Sequence, residues 1–315
     1  MSLIRFDKNK NQKPIFYLKG IINTLLPHIY YISKKEKLLS RYRDNNEVQQ
    51  RVDYYNKTQN FTLTPDAIST KEFYKTKKKT YFFDLVKYLK YFKKDMRFAY
   101  LFGDITHIPD TPSILKSRPI SDDNQNSVLM KLNSVRHFVF VDDKMKFEDK
   151  KPLAIWRGKC YKEHRVEFVK IYHDKNFCDI GQTNTKGEMD VPWQKGKVSL
   201  EQQLNYRYLI AIEGNDVASN LKWSMSSNSL VMMSKPKYET WFMEGTLKEN
   251  YHYVLLKDDY SDLEEKINYY NEHIDEAKTI INNAHTFVEM FKNQDKEDAI
   301  SVLVLEKYFK NSEQI

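Results

Sequence analysis

Three stretches of this 315-residue chain set charged side chains beside glycines. The first is IWRGKCYKEHR, residues 155–165. An apolar run ends at Trp156, Arg157 and Gly158 open a turn, and Arg165 follows at the start of an expected helix. A glycine loop between a strand and a helix N-terminus can hold an anion, because the first helical N–H groups lack intrahelical partners and the dipole favours negative charge. Arginine adds paired hydrogen bonds to phosphate. The same residues also fit an ordinary glycine turn with two surface arginines.

The second stretch is YRYLIAIEGNDVASNLKWSMSSNSLVMM, residues 206–233. It repeats the device: a strand, Gly214, a polar turn, and an expected helix over 216–226 capped by Asp216 or Ser219, with Lys222 in its first turns. Two such devices in one sheet favour a diphosphate site over either alone. The third is LFGDITHIPDTPSILKSRPI, residues 101–120. Asp104 follows Gly103 at the end of an expected strand, where a carboxylate can take a proton from an attacking hydroxyl. His107 and Asp110 compete for that role, and Lys116 and Arg118 are candidate phosphate contacts. Asp104 also reads as a turn or cap residue.

The elements that would position these groups alternate in the second half. PLAIWRG (152–158), YRYLIAIEG (206–214), LVMM (230–233) and HYVLLK (252–257) read as buried strands, and 216–226 and 261–290 as helices. Strands alternating with helices argue for a parallel, Rossmann-like sheet, whose ligands bind at the carboxyl ends of its strands. In the first half, 97–104 and 137–143 read as strands and FFDLVKYLKYF as a helix. The join at 144–151, KMKFEDKK, is expected to be exposed. The domains expected are 1–150, an α/β domain; 151–290, a Rossmann-like domain; and 291–315, a C-terminal helical segment.

Hydrophobic residues make up 41% of the chain, enough for real cores, and aromatics 14%. The 51 basic against 43 acidic residues leave a net charge of +8, which favours anionic partners without choosing among nucleic acid, membrane and phosphorylated substrate. Cys160 and Cys178 lack metal-ligand spacing and read as reduced thiols. No apolar stretch is long enough to span a membrane, and Met1 to Lys13 shows no leader-like apolar run. A cytoplasmic protein is expected. Residues 15–31, followed by Lys34, Lys35, Lys37, Arg41 and Arg43, read either as a buried helix broken near Pro27 or as an amphipathic segment on an anionic membrane. The lysine-rich stretch 75–94 carries Phe82, Leu85, Tyr88, Leu89 and Phe92 at helical spacing; its lysines form a solvated face or bind acceptor phosphates.

Taken together, the blocks FGDI…TPSILKSRPI, AIWRGK…R, YRYLIAIEGNDVASNLKW and KYETWF…HYVLL resemble glycosyltransferase family 90, the CAP10 and Rumi proteins, most closely its bacterial lipopolysaccharide branch. RVDYYNK (51–57) is similar to that branch as well. The resemblance implies an α/β protein of GT-B type, two Rossmann-like domains facing a central cleft, and an inverting transfer from a UDP-sugar to a lipopolysaccharide, lipooligosaccharide or related glycan. It implies Asp104 as the general base, although Phe102 and Gly103 stand where the family has a preceding arginine. It matches Arg157 and Gly158 to the family's arginine-glycine loop, Arg165 to the arginine that follows it, and Gly214 through Ser219, with Val217 and Ala218 between, to its glycine-to-serine turn; Trp156 and Asn220 adjoin these two segments. Lys222 stands where eukaryotic members carry a basic run, Glu213 where many carry arginine, and Glu239 lies in the KYETWF block. These are the expected donor contacts, with Lys116 and Arg118 toward the acceptor.

The chain has no Asp-x-Asp triplet, so no metal and no cofactor beyond the UDP-sugar co-substrate are expected. Cations and helix ends would neutralise the leaving diphosphate. Loose, salt-sensitive attachment to the inner membrane is expected through the basic N-terminal segment. The rivals are a basic nucleic-acid-binding protein, against which no recognition motif appears, and an inactive glycosyltransferase-like scaffold.

Overall fold

The computed structural model describes residues 12–315, so most of the stretch read above for leader features lies outside the described residues. In chain order the helices are α1 (Gln12–Leu25), α2 (His28–Leu39), α3 (Asn46–Tyr55), α4 (Thr70–Phe73), α5 (Thr80–Leu89), α6 (Ser134–His137), α7 (Glu163–Tyr172), α8 (Leu200–Gln203), α9 (Leu221–Met225), α10 (Leu263–Glu272), α11 (Ile274–Glu289) and α12 (Gln294–Asn311). The strands are β1 (Ile68–Ser69), β2 (Arg97–Tyr100), β3 (Ser113–Leu115), β4 (Ser117–Pro119), β5 (Ser127–Leu129), β6 (Lys151–Gly158), β7 (Cys178–Gln182), β8 (Tyr206–Ile210), β9 (Leu230–Met233), β10 (Tyr238–Thr240) and β11 (Val254–Leu255). They form two compact units. One comprises the described residues up to Val139, with Tyr238–Met243 and Phe291–Ile315, and the other Phe140–Lys237 and Glu244–Met290.

The second unit is built on a five-stranded sheet in the order β11-β9-β8-β6-β7, parallel throughout. Counted from β6 as the first strand, its order is 2-1-3-4-5, a doubly wound arrangement. Apolar side chains at alternate positions, Ala154 and Trp156 on β6, Ile180 on β7, Tyr208 and Ile210 on β8, fill one buried cluster with Phe168 and Val169 of α7 and Leu263 and Ile267 of α10. Glu163 in the first turn of α7 and Lys170 in its last complement the helix dipole, while Phe168, Val169 and Tyr172 supply the buried face. Phe168 meets Trp156 edge-on at 5.9 Å. Each such side chain contributes about 1.5–3 kcal/mol by leaving water. Leu230, Val231, Met232 and Met233 of β9 are all buried, as a strand covered on both faces requires.

The first unit holds a mixed sheet in the order β1-β2-β3-β5, in which β1 is antiparallel to β2 and the rest are parallel, and an antiparallel β4–β10 pair. Helix α12 brings Glu297 into its core, where the carboxylate meets Arg51 at 2.7 Å, Lys131 at 3.3 Å and Trp241 Nε1 at 2.6 Å. Tyr55 stacks on Trp241 with centroids 3.9 Å apart. A buried carboxylate demands such partners.

The α/β class and the parallel sheet agree with expectation, but several elements do not. The strand expected over 97–104 ends at Tyr100, and 137–143 is no strand. There Val141 N–H donates to Ser226 Oγ and Asp143 binds Lys150 and Asn228, so the apolar run FVFV has no ladder partner. The 144–151 join is partly inside: Phe147 and Lys150 are buried. The helix expected over 216–226 shrinks to five residues, begins after Asn220 rather than Asp216 or Ser219, and has no side-chain cap. The helix expected over 261–290 is two helices that break at His273, whose ring stacks on Tyr269 at 4.0 Å.

Candidate functional site

Strands β6 and β8 are neighbours, yet β6 leads on to β7 at one edge while β8 leads on to β9 and β11 at the other. This is the topological switch point of the sheet, where loops part and leave a crevice at the carboxyl ends. Arg165, in the first turn of α7, spans it. Its Nε donates to Glu213 O at 2.8 Å and its Nη2 to Ile212 O at 2.6 Å, both just beyond β8, while Nη1 donates to Lys159 O at 3.1 Å just beyond β6. The guanidinium also lies over the Trp156 ring at 5.5 Å. His164 Nε2 lies 2.9 Å from the Glu213 carbonyl oxygen. The two glycines flank this arrangement. A β-carbon at Gly158 would run into the Trp156 ring, and one at Gly214 would approach Arg165 Nη2 at 3.3 Å. Both are therefore set by close packing, beyond any need for a tight turn.

The Gly214 turn is internally bonded. Gly214 N–H donates to Asp216 O at 2.9 Å, Asn220 Nδ2 donates to Ile210 O at 2.9 Å, and Val217 and Ala218 are buried. After β6, Cys160 N–H donates to Asn184 Oδ1 at 2.8 Å, which ties this loop to the one beyond β7. Cys160 and Cys178 are buried free thiols, and burial pushes each up to about 12. Lys159, Lys162 and His164 remain exposed around Arg165.

Arg157 and Lys222 lie elsewhere than in a solvent-facing phosphate loop. Arg157 belongs to β6 itself and turns toward β7, where Nη2 meets Asp179 Oδ1 at 2.6 Å and Nη1 meets Asp179 O at 2.6 Å, with Nε donating to Gly196 O at 3.2 Å. Burial alone would raise the Asp179 carboxyl, but hydrogen bonds from Arg157 and Lys195 outweigh it and hold the group below its ordinary value. Lys222 is fully buried and pairs with the equally buried Glu244. Its α9 is too short for a sizeable dipole.

In the first unit, Asp104 and Lys116 stand past the carboxyl ends of the adjacent parallel strands β2 and β3. They form an ion pair of 2.5 Å in which the lysine is buried and the carboxylate keeps part of its surface in solvent. Ser117 Oγ, donating to Ile105 O at 3.3 Å, fixes the same loop one residue further. Gly103 has φ +128°, which makes the turn into Asp104 possible. His107 and Asp110 are exposed further along this loop. Arg118 is fully buried on β4: Nε binds Glu239 Oε1 of β10 at 2.7 Å, Nη1 donates to Ser127 O at 2.9 Å and Nη2 to Tyr54 O at 2.8 Å. Tyr54 also donates to the Glu239 carboxylate.

The candidates therefore fall into separate groups. Trp156, Gly158, Arg165 and Gly214 come together at the switch point of the second unit, while in the first unit Asp104 pairs with Lys116 and Glu239 with Arg118. Sequence reading missed Asp179, Asn184 and Glu244. The signal for Asp179 was available in the alternation of Cys178, Ile180 and Gln182 toward the core on β7. Nothing local marked Glu244 as the partner of Lys222.

A doubly wound sheet with an arginine set across its switch point defines an α/β protein with a ligand crevice at the carboxyl ends of its strands. The chain belongs to glycosyl transferase family 90, whose model matches residues 128–311. It is 40% identical over 300 residues to "O-glucosyltransferase LpsA" of Dichelobacter nodosus, covering 93% of this chain and 94% of that protein. It is also 30% identical over 132 residues to "Protein O-glucosyltransferase 3" of Homo sapiens, which is 40% of this chain and 26% of that protein. Over 139 residues it is 30% identical to "Protein O-glucosyltransferase 2" of Danio rerio, 42% of this chain and 28% of that protein. The protein is a glycosyltransferase. Among the described residues no helix is long and apolar enough to cross a membrane.

Proposed function

We propose that the protein moves a sugar from a UDP-linked donor to a lipopolysaccharide, lipooligosaccharide or related glycan, with inversion at the anomeric carbon. The observation that carries this reading is the Arg165 clamp across the β6/β8 switch point. The donor diphosphate binds there, with Arg165 and the exposed Lys159, Lys162 and His164 offering positive charge to the leaving group. Glucose is the favoured sugar, because the relatives carry the name O-glucosyltransferase.

In the proposed step the acceptor hydroxyl gives its proton to Asp104, its oxygen forms the new bond to the anomeric carbon, and the bond from that carbon to the diphosphate oxygen breaks, so that UDP leaves with the electron pair. Lys116 holds the Asp104 carboxylate in place. A GT-B arrangement, acceptor binding on the first unit, transfer without a metal ion and work at the cytoplasmic face of an anionic membrane belong to the same proposal. Transfer is expected to persist in excess EDTA.

A panel of UDP-sugars tests the reading through heat protection, since a ligand of the folded state raises its apparent stability by mass action. UDP-glucose should protect at concentrations where an oligonucleotide of equal charge does not. Protection by the oligonucleotide alone would overturn the assignment.

A further inference from the structure

We propose that α1 and the start of α2 form a docking surface that inserts into the interface of an anionic phospholipid bilayer. This deepens the membrane element of the proposed function and is independent of the donor site and of Asp104.

Helix α1 is apolar on two sides, and the fold uses only one of them. Phe16 and Phe83 of α5 meet edge-on, with centroids 6.4 Å apart, and Gly20 lets the Phe83 ring pack where a β-carbon would collide. The opposite side carries Ile15, Leu18, Ile22, Leu25 and, after the Pro27 break, Ile29. These residues recur at helical spacing and are exposed, Leu18 to 59%, Leu25 to 78% and Ile29 to 71%. The expected alternative, a buried helix with a solvated basic face, fails on these exposures. Scattered exposed leucines need no explanation, but an ordered apolar stripe with charged flanks marks a binding surface.

The stripe is held rigidly to the unit. Lys90 donates to the carbonyl oxygens of Asn23 and Leu26, which close the carboxyl end of α1, and His28 Nε2 lies 2.9 Å from Tyr74 Oη. Ile15, Ile22 and Leu26 also rim a cavity of about 760 Å³ that reaches Phe83, so the apolar surface continues inward.

Charge selects the occupant. From Gln12 to Lys34 the chain has three lysines, Lys13, Lys19 and Lys34, and no acidic residue, while Lys35 just beyond pairs with Glu306 at 2.7 Å. The His28–Tyr74 contact sets this segment beside Lys75, Lys77, Lys78 and Lys79, all exposed. That run leads into the N-terminus of α5, which has no acidic residue in its first turn. Lysines at a positive helix end oppose the dipole, an arrangement that an external anion relieves. An apolar stripe bordered by lysines matches the acyl and phosphate layers of an anionic membrane.

The test is sedimentation with vesicles of phosphatidylcholine, with and without phosphatidylglycerol, at low and high salt. The full chain should partition onto the anionic vesicles at least about tenfold better than onto neutral ones. High salt should weaken this binding without abolishing it, because the apolar contribution is unscreened. Leu18→Gln/Leu25→Gln should lower partitioning about tenfold or more, with thermal unfolding unchanged since both side chains are exposed. Lys77→Glu/Lys78→Glu should remove most of the salt sensitivity. If the leucine pair leaves vesicle binding unchanged, the surface is wrong while the membrane reading survives. If the wild type ignores anionic vesicles, both fail. A wild-type dimer that the leucine pair dissociates would assign the stripe to a second copy and overturn the proposal.

Discussion

Gly214 lies against the guanidinium of Arg165, so that a β-carbon at position 214 would come 3.3 Å from Nη2. That spacing is tight but yields if the arginine shifts by a few tenths of an ångström. Gly214→Ala should therefore fold normally and weaken UDP binding about threefold to tenfold through a displaced Arg165. Gly158→Ala meets the Trp156 ring inside the core and should instead destabilise by about 1–3 kcal/mol. Chemical denaturation and UDP calorimetry on both variants separate the two outcomes. Equal stability of Gly158→Ala and wild type would refute the packing argument.

Asp104 is fixed by Lys116 at 2.5 Å, whereas His107 lies exposed further along the loop. Asp104→Asn should keep UDP affinity and lower turnover about 100-fold or more, the usual worth of a positioned base. Lys116→Met should lower kcat with UDP affinity intact, and Lys116→Arg should restore part of it. His107→Ala should change turnover by less than about fivefold. Steady-state assays decide; a large loss in His107→Ala with near-normal Asp104→Asn would move the base to His107.

Lys222 and Glu244 form a buried pair, as do Arg118 and Glu239. Removing one member leaves the other charged and buried, which costs about 3–5 kcal/mol. Lys222→Met, Glu244→Gln and Glu239→Gln should each lower the unfolding free energy by that amount, read from the denaturant midpoint and slope, while the folded fraction keeps its UDP affinity within about threefold. Normal stability with lost UDP binding in Lys222→Met would return this lysine to the donor site.

Asp84 is buried on α5 and accepts hydrogen bonds from Ser134 N–H at 2.9 Å and Ser134 Oγ at 2.6 Å. Burial pushes its carboxyl from 3.8 up to about 7, with Ser134, Lys87 and Lys131 only partly offsetting the rise. The folded state then binds the proton more tightly than the unfolded chain. Its contribution to stability is full below about pH 4 and lost as pH rises through about 7. Relative to Asp84→Asn, the wild type should lose about 4 kcal/mol across that window. Parallel pH profiles of unfolding free energy for the two proteins would contradict the shift.

How far the sequence reveals this structure depends on where each residue's partners lie. Strand β9 was legible to the residue because its four apolar side chains are all buried and its boundaries are polar. Most of α5 was legible because Phe82, Leu85, Tyr88 and Leu89 keep one periodic buried face. Strand β7 was hidden because Asp179 and Gly181 break the apolar run, although alternate residues do face the core. The run at 137–143 misled for the opposite reason, being apolar without a neighbouring strand. At the site, the glycines and Arg165 were visible as types in order. That Arg157 turns to Asp179, that Lys222 finds Glu244 and that Arg118 finds Glu239 depend on contacts 22, 22 and 121 residues away, which no local pattern encodes.

The central claim is that a UDP-sugar binds at the β6/β8 switch point through Arg165. Titration of UDP-glucose into wild type and Arg165→Ala by calorimetry tests it most directly, with unfolding curves recorded in parallel. The account predicts that the variant stays folded and binds about 10- to 100-fold more weakly, the worth of about 1–3 kcal/mol for a charged hydrogen-bonding group. Unchanged affinity in a folded Arg165→Ala would contradict it.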